Sequence, residues 1–288
     1  MRVLVAGCGD LGSALGLELA AGGDQVFGLR RHPDHLPPAI HPLAADLAEP
    51  SSLRALPEVD AVVYAAAADQ TNDDAYRRAY VDGVRNLLAA PSLRSHPPAH
   101  FLLVSSTAVY AQNDGEWVDE RSPAAADHFR ARRLLEGEAL VRAAAPGAVV
   151  VRLAGIYGPG RTRLVDMVRA GRATCPAGPP RYANRIHRDD AAGALAHLLR
   201  LPAAGGGASP TPLYLAVDDS PVDLREVLIW LAQATGAPPP RTVSSPDAAS
   251  LERSSKRCSN ARLRSTGYRF RFPTYREGYG ALLGLLPS

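Results

Sequence analysis

Lysine is nearly absent from this chain, and this absence affects how every other cation is interpreted. Lys256 is the only lysine among 32 lysine and arginine residues. Together with abundant alanine, glycine and proline, this composition indicates a coding bias, so an arginine at any one position is weaker evidence for function. A lysine that chemistry requires is harder to replace, because guanidinium and ammonium groups differ in geometry and acidity.

Cysteines, long apolar runs and aromatic side chains are scarce as well. Cys8, Cys175 and Cys258 are odd in number and fit no metal-binding spacing, which predicts no metal site and a reducing, cytoplasmic compartment. No apolar run reaches the ~20 residues of a membrane span, and the chain opens directly on a predicted strand, so we expect neither a membrane nor a signal peptide. A net charge of +3 with 6% aromatic residues does not favour nucleic acid as a partner.

What the chain does contain is a series of apolar segments that alternate with helical patterns. The 288 residues are 46% hydrophobic, which is enough for a sizeable core. Apolar strands separated by helices predict an α/β fold with a doubly wound parallel sheet. The predicted strands are 2–6, 25–30, 61–67, 100–106, 148–154 and 213–217, with a further strand just before Asp46, and the predicted helices are 51–56, 73–90, 128–144, 188–200 and 222–235.

The first strand runs straight into a glycine-rich turn. Residues 2–6, RVLVA, are followed by GCGDLG (7–12) and then by an apolar helix pattern. Strand, GxGxxG and helix in this order are the dinucleotide-binding fingerprint, because the glycines allow a tight turn, the close approach of a pyrophosphate and helix packing on the sheet. We therefore predict a dinucleotide cofactor; the alternative is a glycine turn that serves only the strand–helix junction. The predicted contacts are Gly7, Gly9, Asp10, Leu11 and Gly12.

Two arginines stand at the end of the second strand, where an acidic residue would bind the ribose of NAD. Arg30 and Arg31 occupy this place, and no acid lies there. Two guanidinium groups can hold the 2′-phosphate of NADP by forked, charge-assisted hydrogen bonds, so we predict NADP, with NAD less favoured. The alternative is a solvated arginine pair, which the coding bias favours.

Two further segments are predicted to contact the cofactor. Asp46 and Leu47 follow the third strand and are placed at the adenine edge, although Asp46 would also serve as a cap for the next helix. Ala65, Ala66 and Ala67 end the fourth strand, where small side chains let the backbone approach the cofactor.

The chain is accordingly predicted to have two regions. Residues 1–155 are the NAD(P)-binding Rossmann domain. Residues 156–288 are a mixed region in which about 186–218 completes the sheet and the remainder forms a smaller substrate lobe. Segment 202–212, PAAGGGASPTP, is predicted to be a flexible surface connection, and a Pro-rich stretch covers 238–246.

These features together resemble the extended short-chain dehydrogenase/reductase (SDR) superfamily, which includes nucleotide-sugar epimerases and dehydratases. The resemblance is carried by GCGDLG (7–12), ADL (45–47), VSSTAVY (104–110), RLAGIYGPGR (152–161) and RIHRDDAAGAL (185–195), and it extends to 259–278. The chain looks most similar to the atypical bacterial YeeZ-like epimerases. The resemblance implies a Rossmann fold of the extended type, a nicotinamide cofactor and a sugar-like or nucleotide-linked small-molecule substrate.

The resemblance also implies an active site. In the superfamily a Ser or Thr four residues before the motif Tyr polarises the reacting group, and counting back from Tyr110 gives Ser106; the alternative is a strand-end serine bonded to backbone. Gly155 and Ile156 resemble the loop that faces nicotinamide, although a Pro-Gly turn would give the same pattern. His187 suits a capping or core role equally well, and Arg161 suits solvated surface. The implied substrate contacts are Thr107, Tyr110, Tyr157, Arg161 and His187.

The chain departs from the superfamily at its catalytic Tyr-x-x-x-Lys motif. Alignment on Leu-Leu-Glu (134–136) places His128 at the Tyr position and Arg132 at the Lys position, and sliding by one residue gives Phe129 and Arg133. In the ordinary mechanism the lysine lowers the pKa of the phenol, which then exchanges a proton as hydride moves. Neither register supplies a phenol. Arg132 could still hold the nicotinamide ribose by hydrogen bonds.

A second departure predicts a compensation. The superfamily usually carries an Asn six residues before the Asn of its NLL motif, and here Asn86 places Tyr80 at that position. We hypothesise that Tyr80, with Ser106, supplies the missing hydroxyl. The alternative is that Tyr80 packs between helices, as buried tyrosines commonly do.

Two functions remain open from the sequence. The first is an NADP-dependent enzyme of the epimerase, dehydratase or reductase type. The second is a binding module that senses or regulates through NADP(H) without turnover, which the loss of Tyr and Lys favours. The predicted partner is a small molecule, and a homodimer through helices 73–90 and 128–144 is a further expectation. Fold alone does not choose between the two functions.

Overall fold

The computed structural model describes residues 1–125, 128–201, 213–243 and 255–285. The predicted surface connection 202–212 and the end of the Pro-rich stretch, 244–246, lie outside the described residues. The chain divides into two compact units: unit 1 is 1–109, 124–152 and 191–214, and unit 2 is 110–123, 153–190 and 215–288. Segment 110–123 thus belongs with the later part of the chain, whereas the domain prediction placed it in 1–155.

Fifteen strands alternate with ten helices. The strands are β1 (Arg2–Ala6), β2 (Gln25–Arg30), β3 (Ile40–Ala44), β4 (Ala61–Tyr64), β5 (His100–Ser106), β6 (Glu116–Val118), β7 (Val149–Leu153), β8 (Gly155–Tyr157), β9 (Thr174–Pro176), β10 (Tyr182–Ala183), β11 (Arg185–His187), β12 (Leu213–Ala216), β13 (Val222–Asp223), β14 (Arg241–Val243) and β15 (Lys256–Cys258). The helices are α1 (Asp10–Ala21), α2 (Asp73–Arg77), α3 (Gly83–Leu88), α4 (Pro91–Ser95), α5 (Phe129–Ala144), α6 (Arg163–Arg169), α7 (Arg188–Arg200), α8 (Leu224–Thr235), α9 (Ala261–Ser265) and α10 (Tyr275–Leu282). These counts refer to the described ranges. A π-helical turn, Arg78–Asp82, joins α2 to α3, and 3-10 turns cover Pro50–Leu53 and Thr107–Val109.

A seven-stranded parallel sheet confirms the predicted doubly wound α/β fold. Its strand order is β12-β7-β5-β4-β1-β2-β3. The chain leaves β1 in one direction through β2 and β3, and in the other through β4 and β5. In such sheets a ligand binds outside the carboxyl ends of the strands at the point where the order reverses. That point is the gap between β1 and β4, which are paired with Ala6 opposite Tyr64.

Apolar side chains on both faces of the sheet form the core of unit 1. Leu4, Val62 and Leu103 are fully or almost fully buried, as expected for parallel strands covered by helices on both faces. Helix α1 buries Leu11, Leu15 and Leu19, which lie four residues apart on one face. The predicted helix 73–90 is interrupted by the π turn Arg78–Asp82.

Unit 2 has its own core, formed mainly by α6, α8 and α10. Its buried members include Val168, Leu228 and Tyr275. Helix α8 begins at Asp223, whose carboxylate accepts the Arg225 N–H, and helix α10 begins with a Thr274–Glu277 capping box. Among the described residues, no helix combines the length and apolar character needed to cross a membrane.

Candidate active site

The glycine-rich turn and the segment after β4 are packed backbone against backbone. Gly7 has φ +88°, and a side chain there would overlap the main chain of Ala66 and lie 2.8 Å from the Ala65 carbonyl carbon. A Cβ added at Gly12 would stand only 2.9 Å from the Gly7 carbonyl oxygen. Around Gly9, by contrast, no atom lies within 4 Å of the Cβ position. The first and third glycines are therefore required for close packing, and the second leaves open space where a pyrophosphate would lie beside the N-terminus of α1.

The two arginines at the end of β2 have different surroundings. The Arg30 guanidinium donates to the Cys8 carbonyl at 3.4 Å, which places it beside the glycine-rich turn. Arg31 is exposed and pairs with the exposed Asp69 at 3.6 Å. Of the two, Arg30 therefore lies beside the glycine-rich turn and Arg31 faces solvent.

Asp46 has a local partner, whereas Leu47 is bound to a distant helix. An Asp46 carboxylate oxygen accepts the Ala48 N–H at 2.9 Å within a local turn, and the N-cap of the 3-10 turn that follows is Glu49, not Asp46. The Leu47 carbonyl accepts from the Asn86 amide at 2.9 Å, and the Leu47 side chain packs against the core. These bonds fix the backbone beside the predicted adenine edge.

The end of β5 carries the predicted polarising hydroxyl. Ser106 Oγ accepts the Ala108 N–H at 3.1 Å, which is the backbone contact foreseen as its alternative role. A hydroxyl that accepts in this way keeps its own proton to donate. Thr107, the next residue, is 7% exposed, so its side chain has little surface to offer a substrate.

Tyr80 lies in the π turn and is half-buried. Its ring packs against Tyr76 with centroids 5.2 Å apart. Burial, with a smaller contribution from Tyr76, raises the pKa of the Tyr80 phenol to about 12, and a hydrogen bond from the Ala68 main chain counteracts part of that rise. Ala68 immediately follows Ala65–Ala67, so the phenol of Tyr80 faces the end of the predicted cofactor segment.

The N-terminus of α5 carries the residues that the sequence places at the Tyr and Lys positions of the motif. His128 is the N-cap, and Phe129 contacts the Tyr76 ring edge-on at 5.4 Å. Arg133 donates two 2.8 Å hydrogen bonds to Asp73 and also pairs with Glu136, so Asp73 raises the Arg133 pKa and Arg133 lowers that of Asp73. Arg132 is exposed. Of the two candidate arginines, Arg133 is held by carboxylates and Arg132 faces solvent.

A buried ion pair between α5 and β7 was not predicted from the sequence. Glu138 on α5 accepts from Ser105 at 2.7 Å and from Arg152 at 2.9 and 2.7 Å. Burial by itself would raise the Glu138 pKa, but Arg152, Ser105 and Arg142 outweigh it and lower the pKa. Glu138 thus ties α5 to β7 through Arg152 and to β5 through Ser105, the residue next to Ser106. The signal was an arginine inside the apolar strand AVVVRLA, because a buried arginine requires a buried acid.

The remaining predicted residues lie in unit 2, and half of them are buried. The Tyr110 hydroxyl donates to the Asp119 carbonyl at 2.9 Å. His187 is 2% exposed, packs against Phe272 with tilted rings whose centroids are 4.1 Å apart, and has its pKa lowered mainly by burial. Tyr157 packs on Tyr279 at 4.3 Å, and burial raises its pKa.

The exposed candidates of unit 2 are Gly155 and Arg161, and Ile156 is half-buried. Their roles stay predictions, as do those of the buried candidates. Within the described ranges, no group of three or more His, Cys, Asp or Glu residues could hold a metal ion.

Comparison with known proteins agrees with this geometry. The model of the NAD dependent epimerase/dehydratase family matches residues 3–207. A solved structure from Methylobacillus flagellatus that carries this family name is 37% identical, covers 98% of this chain and 97% of that one, and superposes with a TM-score of 0.81. A 3-diazoavenalumate denitrifying reductase of Streptomyces is 29% identical over 97% of this chain and 99% of its own length.

The human epimerase family protein SDR39U1, solved with NADPH, is 23% identical, covers 99% of this chain and all of its own, and has a TM-score of 0.79, which shows a common fold. The YeeZ-like subgroup stays a prediction. The matched residues include the glycine-rich turn, the end of β5 and the buried Glu138–Arg152 pair. By its sequence and its nicotinamide-dinucleotide-binding fold, this chain belongs to the NAD dependent epimerase/dehydratase family.

Proposed function

We propose that this protein is an NADP(H)-dependent oxidoreductase that acts on a sugar-like or nucleotide-linked small molecule, with Tyr80 as its proton donor. The observation that carries the proposal is the placement of Tyr80. Its half-buried phenol lies on a π turn and faces Ala68, at the end of the segment that packs on the glycine-rich turn. A π turn inside a helix is frequently found at a functional site.

The cofactor part of the proposal is supported by the glycine-rich turn and by Arg30. Gly9 leaves the open space that a pyrophosphate needs, and Arg30 lies beside this turn with its guanidinium on the Cys8 carbonyl. A guanidinium can hold a 2′-phosphate through two N–H groups.

The proton part of the proposal rests on the protonation state of Tyr80. With a pKa raised to about 12, the phenol is protonated at neutral pH, so its proton is present but is held more tightly than in a free tyrosine; the alkoxide that hydride transfer creates is the stronger base and takes it. Bound NADPH would supply a hydride to a carbonyl carbon of the substrate. Tyr80 would give the proton to the carbonyl oxygen, Ser106 would donate a hydrogen bond to that oxygen, and solvent would reprotonate Tyr80. This environment favours reduction over oxidation near neutral pH.

A sensor without turnover is the second candidate, and the N-terminus of α5 favours it. Phe129 has no proton to give, and Arg133 is held by Asp73 and Glu136. In this alternative Tyr80 packs between helices and NADP(H) binding alone carries the function. The two candidates differ in whether a carbonyl compound is reduced.

The first experiment titrates wild-type protein and Arg30→Ala with NADPH and NADH, using cofactor fluorescence and thermal shift. Loss of a charge-assisted hydrogen bond should weaken NADPH binding by roughly 10- to 100-fold and leave NADH binding within about twofold. Arg94→Ala, on α4 before β5, is the control because it removes an exposed arginine from the amino-terminal edge of the sheet. If Arg30→Ala bound NADPH as tightly as the wild type does, with NADH binding also unchanged, the NADP assignment would be contradicted.

The second experiment follows NADPH oxidation with a panel of keto sugars and nucleotide-linked keto sugars. We expect Tyr80→Phe to lower kcat by about 100-fold or more with little change in NADPH affinity, in line with loss of a general acid. Unchanged turnover in Tyr80→Phe would end the role of Tyr80. Tight NADPH binding without reduction of any compound in the panel would favour the sensor.

A further inference from the structure

The helix between Asp73 and Leu88 contains a π turn whose cause lies in the sheet. In a regular α-helix the Ala79 carbonyl would accept the Gly83 N–H, four residues on. Here the Gly83 N–H donates to Arg78 instead, five residues back, and the Ala79 carbonyl accepts the hydroxyl of Tyr64. A side-chain hydroxyl has thus replaced one main-chain donor of the helix.

Tyr64 makes this contact from within the core of unit 1. It ends β4, is 0% exposed, and its hydroxyl occupies the space where a Cβ on Gly83 would stand. Any other residue at position 83 would collide with this hydroxyl. Burial raises the Tyr64 pKa, and Tyr80 and Asp82 add to that rise, so the phenol remains a hydrogen-bond donor at every physiological pH.

The π turn is also held from its other side. A side chain at Gly137 on α5 would overlap the Tyr80 carbonyl, so α5 packs directly on the backbone of the turn. The main chain at residues 79 and 80 is therefore held on one side by the Tyr64 hydroxyl, from the sheet. On the other side it packs against Gly137 of α5, which has no side chain to keep it away. One extra residue in the turn rotates the side chains that follow by roughly 100°, which makes the direction of Tyr80 depend on the turn.

We propose that Tyr64 is a positioning residue: by capturing the Ala79 carbonyl it holds the π turn that directs the Tyr80 phenol toward Ala68 and the predicted cofactor segment. The role of this position in turnover rests on the proposed function, but the control of Tyr80 by Tyr64 does not. Without the hydroxyl, Gly83 can return its N–H to Ala79, the π turn becomes α-helical and Tyr80 turns away from Ala68.

The test compares Tyr64→Phe with Tyr110→Phe in the full-length protein. Both residues are almost completely buried, and both hydroxyls donate to a main-chain carbonyl, which for Tyr110 is Asp119 in unit 2. The readout is the NMR titration of Tyr80 in protein labelled at the tyrosine ζ-carbon, with Tyr80→Phe to assign the signal. We expect the Tyr80 signal and the midpoint of its titration to move in Tyr64→Phe, because the phenol leaves the Ala68 main chain, and to stay unchanged in Tyr110→Phe.

Unchanged Tyr80 shifts and pKa in a folded Tyr64→Phe protein would overturn the proposal. Should that variant not fold, Gly83→Ala tests the same contact, because its Cβ displaces the Tyr64 hydroxyl and should move the Tyr80 signal in the same direction. With a substrate in hand, Tyr64→Phe should lower kcat by at least tenfold while KM and NADPH affinity stay within about twofold. If Tyr80→Phe leaves turnover intact while Tyr64→Phe still moves the Tyr80 signal, the proposed function fails and the positioning stands.

Discussion

Asp218 in unit 2 is a buried carboxyl with incomplete hydrogen bonding, and its replacement should change the stability of that unit. It is 1% exposed; one oxygen accepts the Ser220 N–H at 3.2 Å, and the other is buried without a partner among the described residues. Burial raises the Asp218 pKa to about 7; Arg185 and the Ser220 N–H oppose the rise, and Asp219 and Asp190 add to it. The folded protein therefore binds this proton far more tightly than the unfolded chain.

The size and sign of the effect follow from linkage. A rise from 3.8 to about 7 corresponds to about 4 kcal/mol, since each tenfold change in proton affinity is worth ~1.4 kcal/mol. Because the folded-state pKa is the higher one, the stabilising contribution is fully present below about pH 4 and is lost as the pH rises toward 7. Above pH 7 the folded protein carries the whole cost of an ionised Asp218.

The assay is urea unfolding of wild type and Asp218→Asn from about pH 4 to pH 8. Both tryptophans, Trp117 and Trp230, lie in unit 2, so their fluorescence reports the unit that contains Asp218. Asparagine keeps the acceptor for Ser220 and cannot ionise. We expect Asp218→Asn to be more stable than wild type by up to about 4 kcal/mol at pH 8 and the difference to vanish near pH 4.

The control is Asp166→Asn on α6, which removes an exposed carboxylate from the same unit. Its stability should follow the wild-type pH dependence. A difference between wild type and Asp218→Asn that stays constant across this pH range would refute the reasoning. It would mean that Asp218 ionises alike in the folded and unfolded protein.

Three further substitutions test packing and charge. Gly7→Ala should abolish cofactor binding and destabilise unit 1 by more than Gly23→Ala, because both glycines have positive φ but only Gly7 faces another backbone; thermal shift and NADPH titration compare the two. Glu138→Gln should lower stability by about 3 kcal/mol at neutral pH by leaving Arg152 buried without its acid. Because the folded-state pKa of Glu138 is lowered, the loss should shrink as the pH falls below the ordinary value of 4.5, measured by circular dichroism. Lys256→Arg should cost about 1–3 kcal/mol in tryptophan-monitored unfolding, because the buried ammonium lies 2.9 Å from the Tyr110 carbonyl and leaves little room for a guanidinium. Equal stability of Lys256→Arg and wild type would show that the single lysine has no packing role.

The sequence alone was enough to predict the parallel α/β fold and the glycine-rich turn after β1. Its apolar strands and the GxGxxG turn were sufficient because both signals are local: a strand's burial is written in its own residues, and glycine at position 7 is the residue that φ +88° favours. Bounds for β1, β2 and β5 agreed with the prediction, and α5 began one residue later. The third strand was predicted only as lying just before Asp46, without bounds. Its sequence, IHPLA, contains a proline and shows little alternation of apolar and polar residues.

Tertiary structure decided everything that depends on distant partners. The predicted helix 73–90 contains a π turn because Tyr64, on a strand nine residues earlier, takes the Ala79 carbonyl; no periodicity within the helix announces this. Only folding joins Arg133 to Asp73 and buries Glu138 against Arg152, which separates a held arginine from the exposed Arg132. Residue types and spacing gave the candidate hydroxyls, whereas hydrogen bonds between elements far apart in sequence decide which of them are committed to the core.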